Sequence, residues 1–182
     1  MNNLEEQLLS SRPVFDGRLL KLRVDSVKLP SGKEATREVV EHPGAVAIVA
    51  LTDDQELVLV RQYRRAAGSV LLEVPAGTLA KGEPPAIAAV RELEEETGYR
   101  AKKVKKVFSG FVAPGYSTEM IHFYLAEEMT LLHPHTEDDE FIEVDLVDLE
   151  TCLDLVKRGE IKDNKTIIGI MIADLASRGE LA

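Results

Sequence analysis

The sequence has no tryptophan, one cysteine and no hydrophobic run of membrane-spanning length. Each absence excludes something. The lone Cys152 cannot close an internal disulfide or join a cysteine-rich metal site, and it fits a reducing compartment. With Leu153 and Leu155 beside it, it reads as a packing residue rather than a nucleophile. The longest apolar runs, Ala45–Leu51 and Ile167–Ala173, fall far short of the roughly 20 residues a bilayer-crossing helix needs. The stretch Met1-Asn-Asn-Leu-Glu-Glu has no basic region followed by an apolar run, so no secretory leader is expected and the cytoplasm is the expected location.

Positive charge is missing locally. The fifty residues between Lys106 and Lys157 contain no Lys or Arg but twelve carboxylates. The net charge of −10 is therefore regional, because elsewhere bases slightly outnumber acids. A chain with no basic arm lacks the means to displace nucleic-acid counterions, so nucleic-acid binding is not expected. The only basic run, Lys102 to Lys106, has the spacing of a solvated strand face. What is present suits one globular domain, or one domain with a small appendage: 182 residues, 45% hydrophobic and 30% charged.

Turn residues divide the chain into short segments. Strands are expected at Leu19–Leu29 and Glu34–Glu41 around the Pro30-Ser-Gly-Lys33 turn, then at Ala45–Leu51, Leu57–Tyr63 and Val70–Val74. A helix is expected over Pro84–Thr97, with prolines at its start and Gly98 as its C-cap. Its buried face should carry Ile87, Val90 and Leu93. Further strands are expected near Val104–Val112, Met120–Ala126 and Phe141–Leu146. Helices follow at Leu149–Arg158 and Lys165–Ser177, the last burying Ile167, Ile168, Ile170, Met171 and Leu175. Strands, one helix, strands and then helices predict a mixed sheet with helices on its faces rather than a doubly wound parallel sheet. The break at His42-Pro-Gly44 divides an N-terminal hairpin piece (1–43) from a main domain (44–182). So small a sheet needs something to pack on, such as a second subunit.

The expected helix carries Glu92, Glu95 and Glu96 at i, i+3 and i+4, on one face. Like charges at this spacing repel, and they lie at the end where the helix dipole disfavours anions. Either this is a solvated acidic face, or it is a set of hard oxygen ligands that calls for a compensating cation such as Mg²⁺ or Mn²⁺.

The full stretch Gly77 to Tyr99 resembles the Nudix hydrolase signature, GX5EX7REUXEEXGU. Gly77, Glu83, Arg91, Glu92, Leu93, Glu95, Glu96, Gly98 and Tyr99 fill every fixed position. The resemblance implies an α+β fold, an α/β/α sandwich around a mixed central sheet, with a small N-terminal antiparallel sheet added. It implies hydrolysis of a nucleoside diphosphate linked to another moiety, with Mg²⁺ as cofactor and Mn²⁺ as a substitute. It makes Glu92, Glu95, Glu96 and the Ala76 carbonyl metal ligands. It gives Gly77, Glu83, Arg91 and Gly98 structural roles, Glu83 and Arg91 through an ion pair. Cations would neutralise the pyrophosphate oxygens, lower the pKa of a bound water and align it on phosphorus.

The resemblance extends to the ADP-ribose pyrophosphatase branch through Arg37-Glu-Val-Val-Glu-His-Pro-Gly-Ala-Val, Arg61-Gln-Tyr-Arg64, Leu72-Glu-Val-Pro-Ala-Gly77 and Ala113-Pro-Gly-Tyr-Ser117. The implied reaction splits ADP-ribose to AMP and ribose 5-phosphate. Alternatives are another nucleoside diphosphate sugar, such as GDP-mannose, or a non-catalytic sensor, which predicts lost carboxylates where all are present. Arg64 can clamp a phosphate by its guanidinium fork, or simply pair with a nearby carboxylate. Arg37, Gly115, Ser117 and Glu119 are further substrate-side candidates. By resemblance, a loop supplies one more catalytic and metal-binding glutamate, matched by Glu140 with Glu137 and Asp138 as alternatives. Also by resemblance, the N-terminal strands join a homodimer and help build the adenine site. With no Trp, stacking on the base would fall to Tyr, Phe or an aliphatic residue. Ala113 stands where some members carry an acid.

Overall fold

A computed structural model describes residues 4–132 and 141–181. The chain divides into two compact units, Met1–Gly44 with Gly110–Ile121, and Ala45–Ser109 with His122–Ala182.

The first unit is a three-stranded antiparallel sheet, β1 (Gln7–Asp16), β2 (Lys21–Lys28) and β3 (Glu34–Glu41), in that order. The β2–β3 turn closes with Gly32 at φ 84°, where glycine carries no steric penalty. β1 is not expected from sequence, because Gln-Leu-Leu-Ser-Ser-Arg-Pro shows no alternation and contains a proline. Every residue of β1 is exposed, including Leu8, Leu9, Val14 and Phe15. A turn at Ala113–Tyr116, containing Pro114 and Gly115, belongs to this unit and is tied to β3. The Val40 amide donates to the Tyr116 carbonyl (2.7 Å), and the Thr118 amide donates to the Val40 carbonyl (3.0 Å).

The second unit holds β4 (Ala45–Ala50), β5 (Glu56–Arg64), β6 (Ser69–Glu73), β7 (Ala76–Thr78), α1 (Pro85–Thr97), β10 (Ile142–Asp148), α2 (Leu149–Lys157) and α3 (Asn164–Ser177). It also holds most of β8 (Tyr99–Phe111) and β9 (Met120–Leu131). One sheet has the order β7-β4-β9-β8, and a second, antiparallel, has the order β10-β5-β6. Val46 to Ala50 are completely buried, as an uninterrupted apolar run predicts for a central strand. Each such Val or Ile contributes about 1.5–3 kcal/mol. α1 and α3 both pack on β4.

Helix α1 begins after Pro84 and ends at Gly98, whose φ of 74° permits the left-handed cap; its amide donates to the Glu94 carbonyl at 2.9 Å. Its buried face is Ala88, Ala89, Leu93, Glu96 and Thr97. Ile87, expected in the core, is 60% exposed: small alanines let the helix approach β4, and Ile87 falls outside that contact. In α3 the buried residues are Thr166, Gly169, Ile170, Ile172 and Ala173, while Ile168 and Met171 face outward. Close packing of Gly169 on Val74 sets that rotation. Cys152 is completely buried, as a packing residue should be.

Candidate active site

Gly77 to Gly98 form a short strand, a loop and a helix around one cavity of about 370 Å³. Its walls include Ala76, Gly77, Arg91, Glu92, Glu95 and Glu96, with Arg64 and Ile142 contributed by the β10-β5-β6 sheet. The three expected carboxylates are thus brought together, with Ala76 and Arg64.

Arg91 organises the loop. Its Nε and Nη2 donate to the two oxygens of Glu83 at 3.0 and 3.1 Å, as the expected ion pair requires. Glu83 Oε2 also accepts from the Ala80 amide (3.1 Å), and the Glu83 amide donates to the Ala80 carbonyl (3.0 Å). Hydrogen bonds from Arg91 and Ala80 hold the Glu83 carboxyl below the usual range. The same guanidinium reaches Glu95 Oε2 at 2.7 Å and Glu92 Oε1 at 2.8 Å. Part of the compensation sought by the like-charged trio is therefore Arg91 itself. Arg64 and Arg91 set against Glu92, Glu95 and Glu96 still leave a negative excess on the cavity wall.

Glu96 is 6% exposed, and its Oε2 accepts from the Ala76 amide at 3.0 Å. This bond fastens α1 to β7. Gly77 makes room for Glu92, because a Cβ built there would coincide with the Glu92 carboxyl group in its present position.

Among the described residues, no group of three His, Cys, Asp or Glu side chains closes into a metal-binding cluster. Arg91 holds Glu92 and Glu95, and Ala76 holds Glu96. The donor set nevertheless fits a hard divalent cation, since it consists of carboxylates and a carbonyl around one cavity with excess negative charge.

Of the two readings open for Arg64, phosphate clamp and carboxylate pairing, the structure contains the second, with the side chain still on the cavity wall. Its Nε and Nη2 form a fork on Glu73, both bonds 2.8 Å long, and Glu73 is 1% exposed. The fork thus grips a buried carboxylate, while Nη1 has no hydrogen-bond partner among the described residues. Glu73 also accepts from Lys165. Neither Glu73 nor Lys165 is singled out by sequence. Only the β5–β6 register and a contact spanning 92 residues reveal them.

The remaining candidates belong to the first unit. Arg37 is exposed and paired with Glu6. Gly115 has open space on its side-chain face. Ser117 Oγ accepts from the Glu119 amide at 3.1 Å. Glu119 lies 3.8 Å from His42 Nδ1, which itself accepts from the Gly44 amide at 3.1 Å. Glu140, Glu137 and Asp138 lie outside the described residues.

The chain is similar to known proteins along most of its length. Residues 41–167 match the NUDIX domain, and residues 6–40 match the nucleoside diphosphate sugar hydrolase N-terminal domain. The chain is 44% identical over 177 residues to an ADP-ribose pyrophosphatase of Bacillus subtilis, covering 96% of each. It is 39% identical to a methanol dehydrogenase activator of Bacillus methanolicus, covering 94% of each. The solved structure of an ADP compounds hydrolase superposes with a TM-score of 0.83 at 22% identity, over 97% of both chains, and shows the same α+β fold.

Proposed function

The chain belongs to the Nudix hydrolase family, and from that premise we propose that it hydrolyses the pyrophosphate bond of ADP-ribose to AMP and ribose 5-phosphate, using Mg²⁺ or, in its place, Mn²⁺. The observation that carries the reading is one cavity lined by Glu92, Glu95, Glu96 and Ala76, with Arg64 on the facing sheet. The extended match to the Bacillus subtilis ADP-ribose pyrophosphatase supports the substrate.

Each residue has a task. Glu92, Glu95 and Glu96, with the Ala76 carbonyl, would hold the cation, and Glu92 and Glu95 would share their carboxylates between it and Arg91. When bound, the cation neutralises phosphate oxygens and lowers the pKa of the attacking water. Arg64 meets the diphosphate through its Nη1 edge while Glu73 keeps the guanidinium still. Glu83 and Arg91 keep the loop closed on α1. Water adds to one phosphorus, the bridging oxygen leaves with the other phosphate, and each product becomes a monophosphate. Glu140 is retained as an additional catalytic and metal-binding acid, with Glu137 and Asp138 as alternatives; Glu140 stands two positions before Ile142, a cavity residue. Arg37, Gly115, Ser117 and Glu119 are assigned to substrate binding.

We further propose a homodimer through residues 1–43, with 44–182 as the catalytic domain. Support comes from β1, which leaves Leu8, Leu9, Val14 and Phe15 exposed. Among the described residues no helix is long and apolar enough to cross a membrane. The cytoplasm is the proposed location, on the strength of a single, buried, unpaired cysteine. A panel of nucleotide sugars assayed with Mg²⁺ and with Mn²⁺, products identified, tests the activity. Preferential release of AMP from ADP-ribose is expected. Faster cleavage of GDP-mannose would overturn the substrate assignment.

A further inference from the structure

Lys165 is a nearly buried cation for which helix α3 has no need. It sits in the first turn, where the helix dipole disfavours positive charge, and its side chain is 14% exposed. Asp163 caps α3 without it, accepting from the Thr166 amide at 3.0 Å. Ordering a lysine side chain costs rotamer freedom, and burying its ammonium costs hydration, so some other group must reward its presence.

That group is Glu73. Burial opposes the Glu73 charge, yet Arg64 and Lys165 together hold its carboxyl below the ordinary range. Arg64 grips both oxygens, and Lys165 adds a third bond to Oε2 while also donating to Asp163 Oδ2 at 2.9 Å. The next residue is fastened to the same helix turn, because the Val74 amide donates to the Thr166 hydroxyl at 2.9 Å. Gly169 lies against the Val74 side chain. Two successive residues, Glu73 and Val74, are therefore clamped to the start of α3, and Arg64 is clamped to the first of them.

The effect is electrostatic as well as geometric. Without Lys165, Arg64 would face both Glu73 and Asp163, and an approaching phosphate would meet a net negative group. Lys165 offsets that excess, bringing Arg64, Glu73, Lys165 and Asp163 to zero, and so leaves Arg64 a larger share of its charge toward the cavity than it would keep without Lys165. Resting on the reading of Arg64 as the diphosphate contact, we propose that Lys165, acting through Glu73, is a positioning residue that aims Arg64 into the cavity and sets affinity for the diphosphate.

A double-mutant cycle tests this by calorimetry, with inorganic pyrophosphate and Mg²⁺ as the probe. Lys165→Met should weaken binding by about tenfold. Lys165→Arg should restore it to within about threefold, and Lys165→Met should add nothing in an Arg64→Ala background. Steady-state kinetics with ADP-ribose should show Lys165→Met raising KM by a similar factor, with kcat nearly unchanged. If Lys165→Met does not fold, Lys165→Gln, which keeps a donor but no charge, takes its place with the same expectation. Unchanged pyrophosphate affinity, or an equal loss with and without Arg64, overturns the proposal. Absent ADP-ribose turnover alongside a non-additive cycle would count against the substrate reading and for the Lys165 coupling. Turnover alongside an additive cycle would do the reverse.

Discussion

Gly77→Ala isolates the steric logic of the site. The φ of Gly77 lies outside the left-handed region, so an alanine backbone fits there. The nearest obstacle is Glu92, whose carboxyl group occupies the volume of the new methyl group. To regain ordinary contact distance, the carboxylate must retreat by roughly 1–1.5 Å or β7 must shift. Overpacking of this kind costs about 1–3 kcal/mol, a fall in Tm of roughly 2–12 °C for a chain of this size. A misplacement of about 1 Å at a reacting centre costs on the order of 100-fold in rate. Gly82→Ala is the matched control. Its Cβ meets nothing, but its φ of +79° strains any other residue by about 1 kcal/mol. Both variants should melt earlier, and only Gly77→Ala should lose kcat on ADP-ribose, as followed by product chromatography with Mg²⁺. Wild-type turnover in Gly77→Ala, or equal losses in both variants, would refute the argument.

Other perturbations probe neighbouring parts. Glu96→Gln keeps an oxygen that can accept from Ala76, so it should retain Tm within a few degrees while kcat drops by at least about 100-fold; wild-type rates would remove Glu96 from the metal site. The Arg91 guanidinium lowers the Glu83 pKa, so this pair's stabilisation is full above the ordinary Glu value and fades as pH falls through the lowered one. Tm should accordingly fall in acid below roughly pH 4.5, and less steeply in Glu83→Gln; parallel curves would contradict the role of the pair. Burial pushes the Cys152 thiol up to about 11, so at pH 8 it should resist thiol reagents in the native protein and react fully in denaturant. Rapid native labelling would contradict that burial.

Much of α1 was legible in the sequence, because its determinants are local. Prolines at its start, Gly98 at its end and carboxylates at i, i+3 and i+4 all act within a few turns. The burial of Val46–Ala50 was legible for the same reason, since an unbroken apolar run needs no partner to be recognised. What failed depends on how elements meet. Ile87 has the spacing of a core residue, but alanine contacts set the rotation of α1. β1 and β7 are held by pairing with β2 and β4 rather than by their own residues. Arg64 is chemically notable in the sequence, yet its grip on Glu73 emerges only when β5 and β6 are in register, and Lys165 enters from α3. Periodicity carries no information about such contacts.

The most direct measurement is a product assay on ADP-ribose, comparing the unaltered protein with Glu96→Gln, in Mg²⁺ and then in excess chelator. AMP and ribose 5-phosphate should appear in equal amounts from the unaltered protein with Mg²⁺, vanish with chelator and return when Mg²⁺ is restored. The variant should release neither at a comparable rate. Equal rates in Mg²⁺ and chelator, or full activity in Glu96→Gln, would contradict the account of a cation held by the α1 carboxylates.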